Sequence, residues 1–357
     1  MGRYLIRRIL QFIPVFFGAT LIVFMMVFLI PGDPIRALAG ERPMAPAVLA
    51  QLTDEYDLDD PAMVRYAKWL GVMPDDDPNE SALTEEQMAE GVEPPTGTFN
   101  GLLQGNFGDN FRGQPVSDIL GRTIPTTATL AIYAFIFEAV LGLIAGVFAG
   151  LNKDSFLDNL VRISTIMVIS IPIFVIGFGV QILIIVFLQS NPPEWLLSLS
   201  DGWLNISWRD PDTAIFTLTS IKAYFIPAVV LGSVSLAYIA RLTRTSMIEN
   251  TRADFVRTAR AKGLTRARTV VRHLLRNSLI PVVTFLGIDL GNLMGGAIVT
   301  ESIFNVNGLG QEVLAGVRGQ EGTVVLGIIT FLILIFLIAN LIVDVLYAYL
   351  DPRIRYD

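Results

Sequence analysis

The sequence predicts an all-α protein that crosses a membrane six times. Three observations carry that expectation. The 357 residues are 52% hydrophobic and only 17% charged, where a soluble domain has about 25% charged residues, and mean hydropathy is +0.56. Six stretches are apolar over the roughly 20 residues that a helix needs to cross the hydrocarbon core. The loops between those stretches also differ sharply in basic content from one side to the other.

In chain order, the first span is expected at 9–30 and carries no charge. The second lies at about 126–150 and contains Glu138. The third, 163–188, is again uncharged. The remaining three lie at about 223–240, 278–300 with Asp289, and 324–350 with Asp344. Pro172 and Pro227 fall inside two of these spans, where neighbouring helices can satisfy the freed carbonyls.

With six spans the termini share a side. Residues 1–8, 151–162, 241–277 and 351–357 hold 17 of the 26 Lys and Arg residues, whereas 31–124 alone holds 17 Asp and Glu. The excess of basic residues in cytoplasmic loops then places both termini in the cytoplasm. A cleaved signal peptide is the competing reading of the start, from Arg3, Arg7 and Arg8 ahead of an apolar run with Ala37-Leu38-Ala39 beyond. The apolar run is too long for it, and PGDP (31–34) intervenes.

The expected organisation is an N-terminal stub and first span (1–30), a long outer loop (31–125), a five-helix core (126–350) with a cytoplasmic loop at 241–277, and a tail (351–357). Within the outer loop, 74–97 is acidic, Pro-rich and without an aromatic residue, and reads as a solvated insertion. FGDNF (107–111) and the amphipathic LAQLTDEYDL before it read as ordered. Trp195, Trp203 and Trp208 suit a second outer loop at the membrane interface. In the third outer loop (301–322), Asn307-Gly308 marks the turn.

Several function classes drop out. The chain has no cysteine and one histidine, His273, which removes disulfides, thiolate chemistry and a His-rich metal site. There is no G-x-x-x-x-G-K-[ST], no H-E-x-x-H and no G-x-S-x-G. Catalysis by this chain is not expected, no cofactor is expected in it, and the formal net charge of −7 argues against nucleic acid as a partner.

The most informative stretch is 249–277, ENTRADFVRTARAKGLTRARTVVRHLLRN. Asp254 to Lys262 suits a short helix stopped at Gly263. Val256 and Ala259 would share one face, and Arg257 and Arg260 another. Thr265 can cap a second helix with Ala267, Val270, Val271 and Leu274 as an apolar stripe and Arg268, Arg272 and Arg276 on a separate face. A solvated basic loop, an amphipathic membrane-surface segment and a docking element for another protein all fit these residues.

RTARAKG followed by LTRARTVVRHLLRNSLIPVV closely resembles the cytoplasmic loop of permease subunits of ABC importers, in the dipeptide/oligopeptide branch. The resemblance extends to LIRRI (5–9), PGDP (31–34), AGER (39–42), TRTSMIE (243–249), GLG (308–310) and NLIVDVLY…DPRIR (340–355). It departs at the insertion 74–97 and at Val306-Asn307, where an aromatic-proline pair is common. It implies the transmembrane domain of a type I ABC importer in a bacterial or archaeal plasma membrane, and a coupling helix that docks an ATPase through Asp254, Arg257, Thr258, Ala259, Arg260, Ala261, Lys262 and Gly263. The small residues Ala259, Ala261 and Gly263 would give a close fit, and the basic ones would pair with the partner.

The same resemblance implies a second homologous permease, two ATPase domains holding ATP and Mg, and an extracytoplasmic substrate-binding lipoprotein that delivers di- or oligopeptides. Nickel chelates or glycosides are the alternative cargo, and an ATP-independent secondary transporter is the alternative mechanism. Charged and polar residues inside a span are costly and mark candidate pathway positions. These are Asp289, with Asn292 at i+3, and Glu138, which could pair across to the partner permease. Asp344 is expected to be structural, paired with a cytoplasmic arginine.

Overall fold

A computed structural model describes residues 2–29, 53, 60–74, 99–190, 193, 194, 203 and 217–350. PGDP, AGER, Ala37-Leu38-Ala39, all of LAQLTDEYDL but Thr53, all of 74–97 but Pro74, Trp195, Trp208 and the tail 351–357 lie outside them. Among the described residues every regular element is helical: α1 (Gly2–Leu29), α2 (Ala62–Leu70), α3 (Val116–Leu151), α4 (Phe156–Ser170), α5 (Ile173–Gln189), α6 (Leu218–Thr251), α7 (Asp254–Ala261), α8 (Ile280–Phe304), α9 (Leu309–Gly319) and α10 (Gly322–Leu350). The protein is an all-α, polytopic membrane protein.

Five helices, α1, α3, α6, α8 and α10, are long and apolar enough to cross a bilayer; α4 with α5 makes a sixth span if the bent pair is one crossing. The expected straight span at 163–188 is instead broken by a 105° bend between α4 and α5. The physical cause is Pro172. It has no N–H to donate into α4, and its ring pushes the preceding residue out of the helical region. Ile171 accordingly sits at φ −99°, ψ 127°, and Pro172 becomes the residue before α5. Pro227, by contrast, is carried inside α6. Helices α3 and α6 also run past their expected ends, because the amphipathic residues that flank each apolar core continue the same helix.

The chain forms two compact units. One comprises residues 1–9, 125–311 and 335–357; the other comprises 10–124 and 312–334.

In the first unit, a core of Leu130, Ala134, Tyr224, Val230, Leu231, Leu293, Ala297, Phe304 and Val306 joins α3, α6 and α8. Val306, one of the two departures from the family pattern, is therefore fully buried rather than offered to a partner. Helices α3 and α6 meet along glycines. A side chain at Gly142, Gly146 or Gly150 would strike Ile239, Thr243 or Met247 respectively. Four-residue spacing on both helices puts a row of glycines under a row of side chains, which lets the backbones approach closely. At the membrane end of α10, Arg8 pairs with Asp344, so the expected arginine partner lies at the start of α1.

In the second unit, α2 packs on α1. The Tyr66 hydroxyl lies 2.8 Å from Thr20 Oγ1 and donates to the Phe17 carbonyl at 3.1 Å. Burial raises the Tyr66 phenol pKa above its ordinary value, with the Thr20 bond acting in the opposite sense. FGDNF folds into a tight turn, in which Asn110 Oδ1 accepts from the Arg112 and Gln114 amides, both at 2.9 Å.

Candidate functional site

The segment that connects α6 to α8 forms a small protrusion whose core is shared with α6 and α3, through Met247 and through Val147 and Leu151. Helix α7 buries Val256 and Ala259, and Val256 packs with Met247 and Leu274. The expected shared face of Val256 and Ala259 is thus the inner face. Asp254, Arg257, Thr258, Arg260, Ala261, Lys262 and Gly263 are exposed. Gly263 takes a left-handed φ of 76°, which ends the helix. The amide of Gly263 donates to the Arg260 carbonyl at 2.9 Å and that of Leu264 to the Ala259 carbonyl at 3.3 Å.

One residue of the expected docking face points inward: Ala259 is only 5% exposed. Ala261 and Gly263 remain open. Asp254 and Arg257 lie 3.6 Å apart on the outer surface, an exposed pair of little energetic weight.

Beyond Gly263 the chain is helical through Arg266–Thr269, a π-helical turn at Val270–Leu275, and Arg276–Ser278 into α8. Thr265 precedes the helix as expected, but its hydroxyl makes no capping bond. The π turn keeps only half of the expected apolar stripe, since Leu274 is buried and Val270 packs against the same cluster. Ala267 and Val271 are exposed, while Thr269, Leu274 and Ser278 are buried. A π turn accommodates one extra residue, so the inward positions run at i, i+5 and i+9 instead of keeping the α period. Ser278 Oγ closes the protrusion onto α6 by donating to the Ser246 carbonyl at 3.3 Å. A second tie is ionic. Arg244 on α6 reaches Asp158 on α4, with Nη2 2.8 Å from Oδ2 and Nε bonded to Oδ1.

The intramembrane acids come together within the chain. Glu138 on α3 is fully buried and Asp289 on α8 is 6% exposed, and their carboxyl groups are near enough to interact. At strict hydrogen-bond geometry neither Glu138 oxygen nor Asp289 Oδ2 has a partner among the described residues. Gly232 on α6 lies against α3 beside this acid, where a Cβ would come within 2.9 Å of the Ala134 carbonyl. Within this chain Glu138 therefore lies beside Asp289. Asn292 is exposed and does not join the pair.

One buried cluster has no counterpart among the sequence expectations. Glu301, near the end of α8, is fully buried. Its Oε1 accepts from Thr127 Oγ1 at 2.6 Å, and its Oε2 accepts from the amides of Gly310 and Gln311 at 2.7 and 3.2 Å. Thr127 Oγ1 accepts in turn from the Leu309 amide at 2.8 Å. Glu301 thus caps the start of α9, where free amides and the helix dipole favour a carboxyl group. A Cβ at Gly308 or Gly310 would collide with that carboxyl, which gives GLG (308–310) a physical reason. The available sequence signal was a glutamate shortly upstream of N-G-L-G at a helix start. The other missed signal was the Gly142, Gly146, Gly150 spacing.

Residues 142–356 match the family model described as the binding-protein-dependent transport system inner membrane component, and residues 1–82 match the N-terminal model of that membrane component. The chain belongs to this family. It is 34% identical over 363 residues to the di/tripeptide transport system permease protein DppB of Pseudomonas aeruginosa strain UCBPP-PA14, covering 100% of both chains. It is 33% identical over 366 residues to the dipeptide transport system permease protein DppB of Escherichia coli K12, covering 100% of this chain and 99% of that one. Identity to the glutathione transport system permease protein GsiC of Escherichia coli K12 is 32% over 358 residues, with 100% of each covered. The family member is accordingly a multi-pass inner-membrane component of a binding-protein-dependent transport system. Among its described residues no group of three or more His, Cys, Asp or Glu could hold a metal ion.

Proposed function

We propose that this chain is the permease subunit of an ATP-driven importer and forms half of a translocation pathway for di- or oligopeptides. It performs no catalysis. A second homologous permease completes the pathway, two ATPase subunits bind and hydrolyse ATP with Mg, and an extracytoplasmic binding protein delivers the peptide. Both termini and the α6–α8 loop lie in the cytoplasm. The observation that carries the reading is the protrusion at Asp254–Gly263. It buries Val256 and Ala259 and turns Arg257, Thr258, Arg260, Ala261 and Lys262 outward.

A knob of that kind, fixed between two spans, can transmit a push. A partner shifts a conformational equilibrium only by contacting the two states differently, and a rigid protrusion that continues directly into α8 meets that requirement. A peptide cargo is favoured by the similarity to the di/tripeptide, dipeptide and glutathione permeases DppB and GsiC. Asp289, Asn292 and Glu138 are the proposed pathway positions, with Glu138 acting beside Asp289.

The test is Ala261→Trp, which adds bulk to the outer face without entering the loop's core. Membrane insertion should be unchanged, while co-purification of the ATPase subunits and ATP-driven dipeptide uptake in proteoliposomes are lost. Normal uptake by that variant would sink the docking assignment. Uptake by the parent without ATP would favour a secondary transporter, and uptake of a nickel chelate or glycoside in place of dipeptide would reassign the cargo.

A further inference from the structure

We infer that Glu301 is a positioning residue for coupling: its clasp carries displacement of α8 to the outer ends of α3 and α9. This inference rests on the importer reading above. The geometry has three parts. From Arg266 to Phe304 the chain runs helix, π turn, helix, with a single turn residue, Leu279, whose backbone (φ −81°, ψ −14°) stays in the right-handed helical region, so the docking protrusion and Glu301 sit toward opposite ends of one nearly continuous helical segment. At the far end Glu301 and Thr127 are both fully buried and bind each other and the first amides of α9. Gly308 and Gly310 leave no space between the α9 approach and the carboxyl group. A segment that moves at its inner end must therefore move Thr127 and the α9 start, or break four hydrogen bonds in a buried place where unpaired groups are costly.

Glu301 is placed to do this and little else. The pathway acids Glu138 and Asp289 lie elsewhere on the helices, and Glu301 makes no contact with the docking residues. Its carboxyl spends both oxygens on the clasp. Loss of the clasp should therefore leave ATP hydrolysis running while its effect on the outer side is lost.

The experiment uses the whole reconstituted complex with its ATPase subunits and binding protein, and a labelled dipeptide. The readout is peptide transported per ATP hydrolysed. With E301A, hydrolysis should stay within about twofold of the parent, while the transport ratio falls about fivefold to tenfold, within the range for a coupling residue. T127V, which removes the hydroxyl from both of its bonds, should lower the ratio in the same direction. E301Q should recover at least half of the parent ratio, since an amide can accept from Gly310 and Gln311 and donate to Thr127. Should E301A fail to assemble, T127V and E301Q supply the same comparison.

An unchanged ratio in E301A or T127V overturns the inference. Uptake and hydrolysis falling together in proportion also overturns it, because that is what a merely structural residue produces. A parent complex that takes up dipeptide without ATP would fail differently, by removing the importer reading itself.

Discussion

Arg244 grips Asp158 with two hydrogen bonds, one of them 2.8 Å between Nη2 and Oδ2, and so ties α4 to α6 beside the docking protrusion. Asp158 is fully buried and its carboxylate also accepts from the Asp154 amide at 2.8 Å. Removing one partner would leave the other charge buried and unmatched. Asp158→Ala should therefore lower stability by about 3 kcal/mol, read as thermal unfolding in detergent by intrinsic fluorescence. Arg244→Ala should cost a similar amount, and the double variant should cost less than the sum. Strict additivity would mean that the pair contributes nothing as a pair.

Gly146→Leu should disrupt the α3–α6 contact. A Cβ at this position would lie only 2.6 Å from the Ala240 carbonyl, and backbone cannot give way as a flexible side chain can. Expression in the membrane should persist, with thermal stability reduced by about 2 kcal/mol or more. Gly121, with nothing within 4 Å of a Cβ, is the control position, and Gly121→Ala should be silent.

Orientation can be read directly because the chain has no cysteine. Single substitutions Arg260→Cys and Leu103→Cys, both at exposed positions, should react with a membrane-impermeant maleimide from opposite sides. Labelling of Arg260→Cys from the cytoplasmic face alone is the expected result. The reverse pattern would invert the proposed topology and remove the ATPase-docking role.

Asp289→Asn separates pathway chemistry from packing. If the carboxylate attracts the peptide ammonium, uptake of free-amine dipeptides should fall more than that of N-acetylated ones. Equal loss for both, together with reduced thermal stability, would assign Asp289 and Glu138 to helix association.

The first and last members of the helical plan were legible because hydropathy is a local property. A run such as 9–30 must lie in lipid whatever surrounds it, and the family motifs are local too. Sequence also gave a sound reason for Gly263, since a helix stop needs a left-handed residue and glycine takes that conformation without strain. Hydropathy cannot report geometry within an apolar run, however. The same composition covers a straight span and the 105° bend after Ile171, and nothing local distinguishes the tolerated Pro227 from the breaking Pro172.

By itself the sequence determined that this chain is a helical membrane protein, that its most basic segment is a helix–glycine–helix loop, and which family it resembles. Tertiary structure alone decided which face of that loop is open. The π turn at Val270–Leu275 rephases the helix, and Ala259 turns inward beside Val256. It also decided that Thr127 and Glu301, 174 residues apart, meet over the start of α9. The physical reason is the same in each case. Periodicity fixes which residues share a face, but only packing against another element decides which face is buried, and a buried carboxyl group must find its hydrogen-bond donors wherever in the chain they lie.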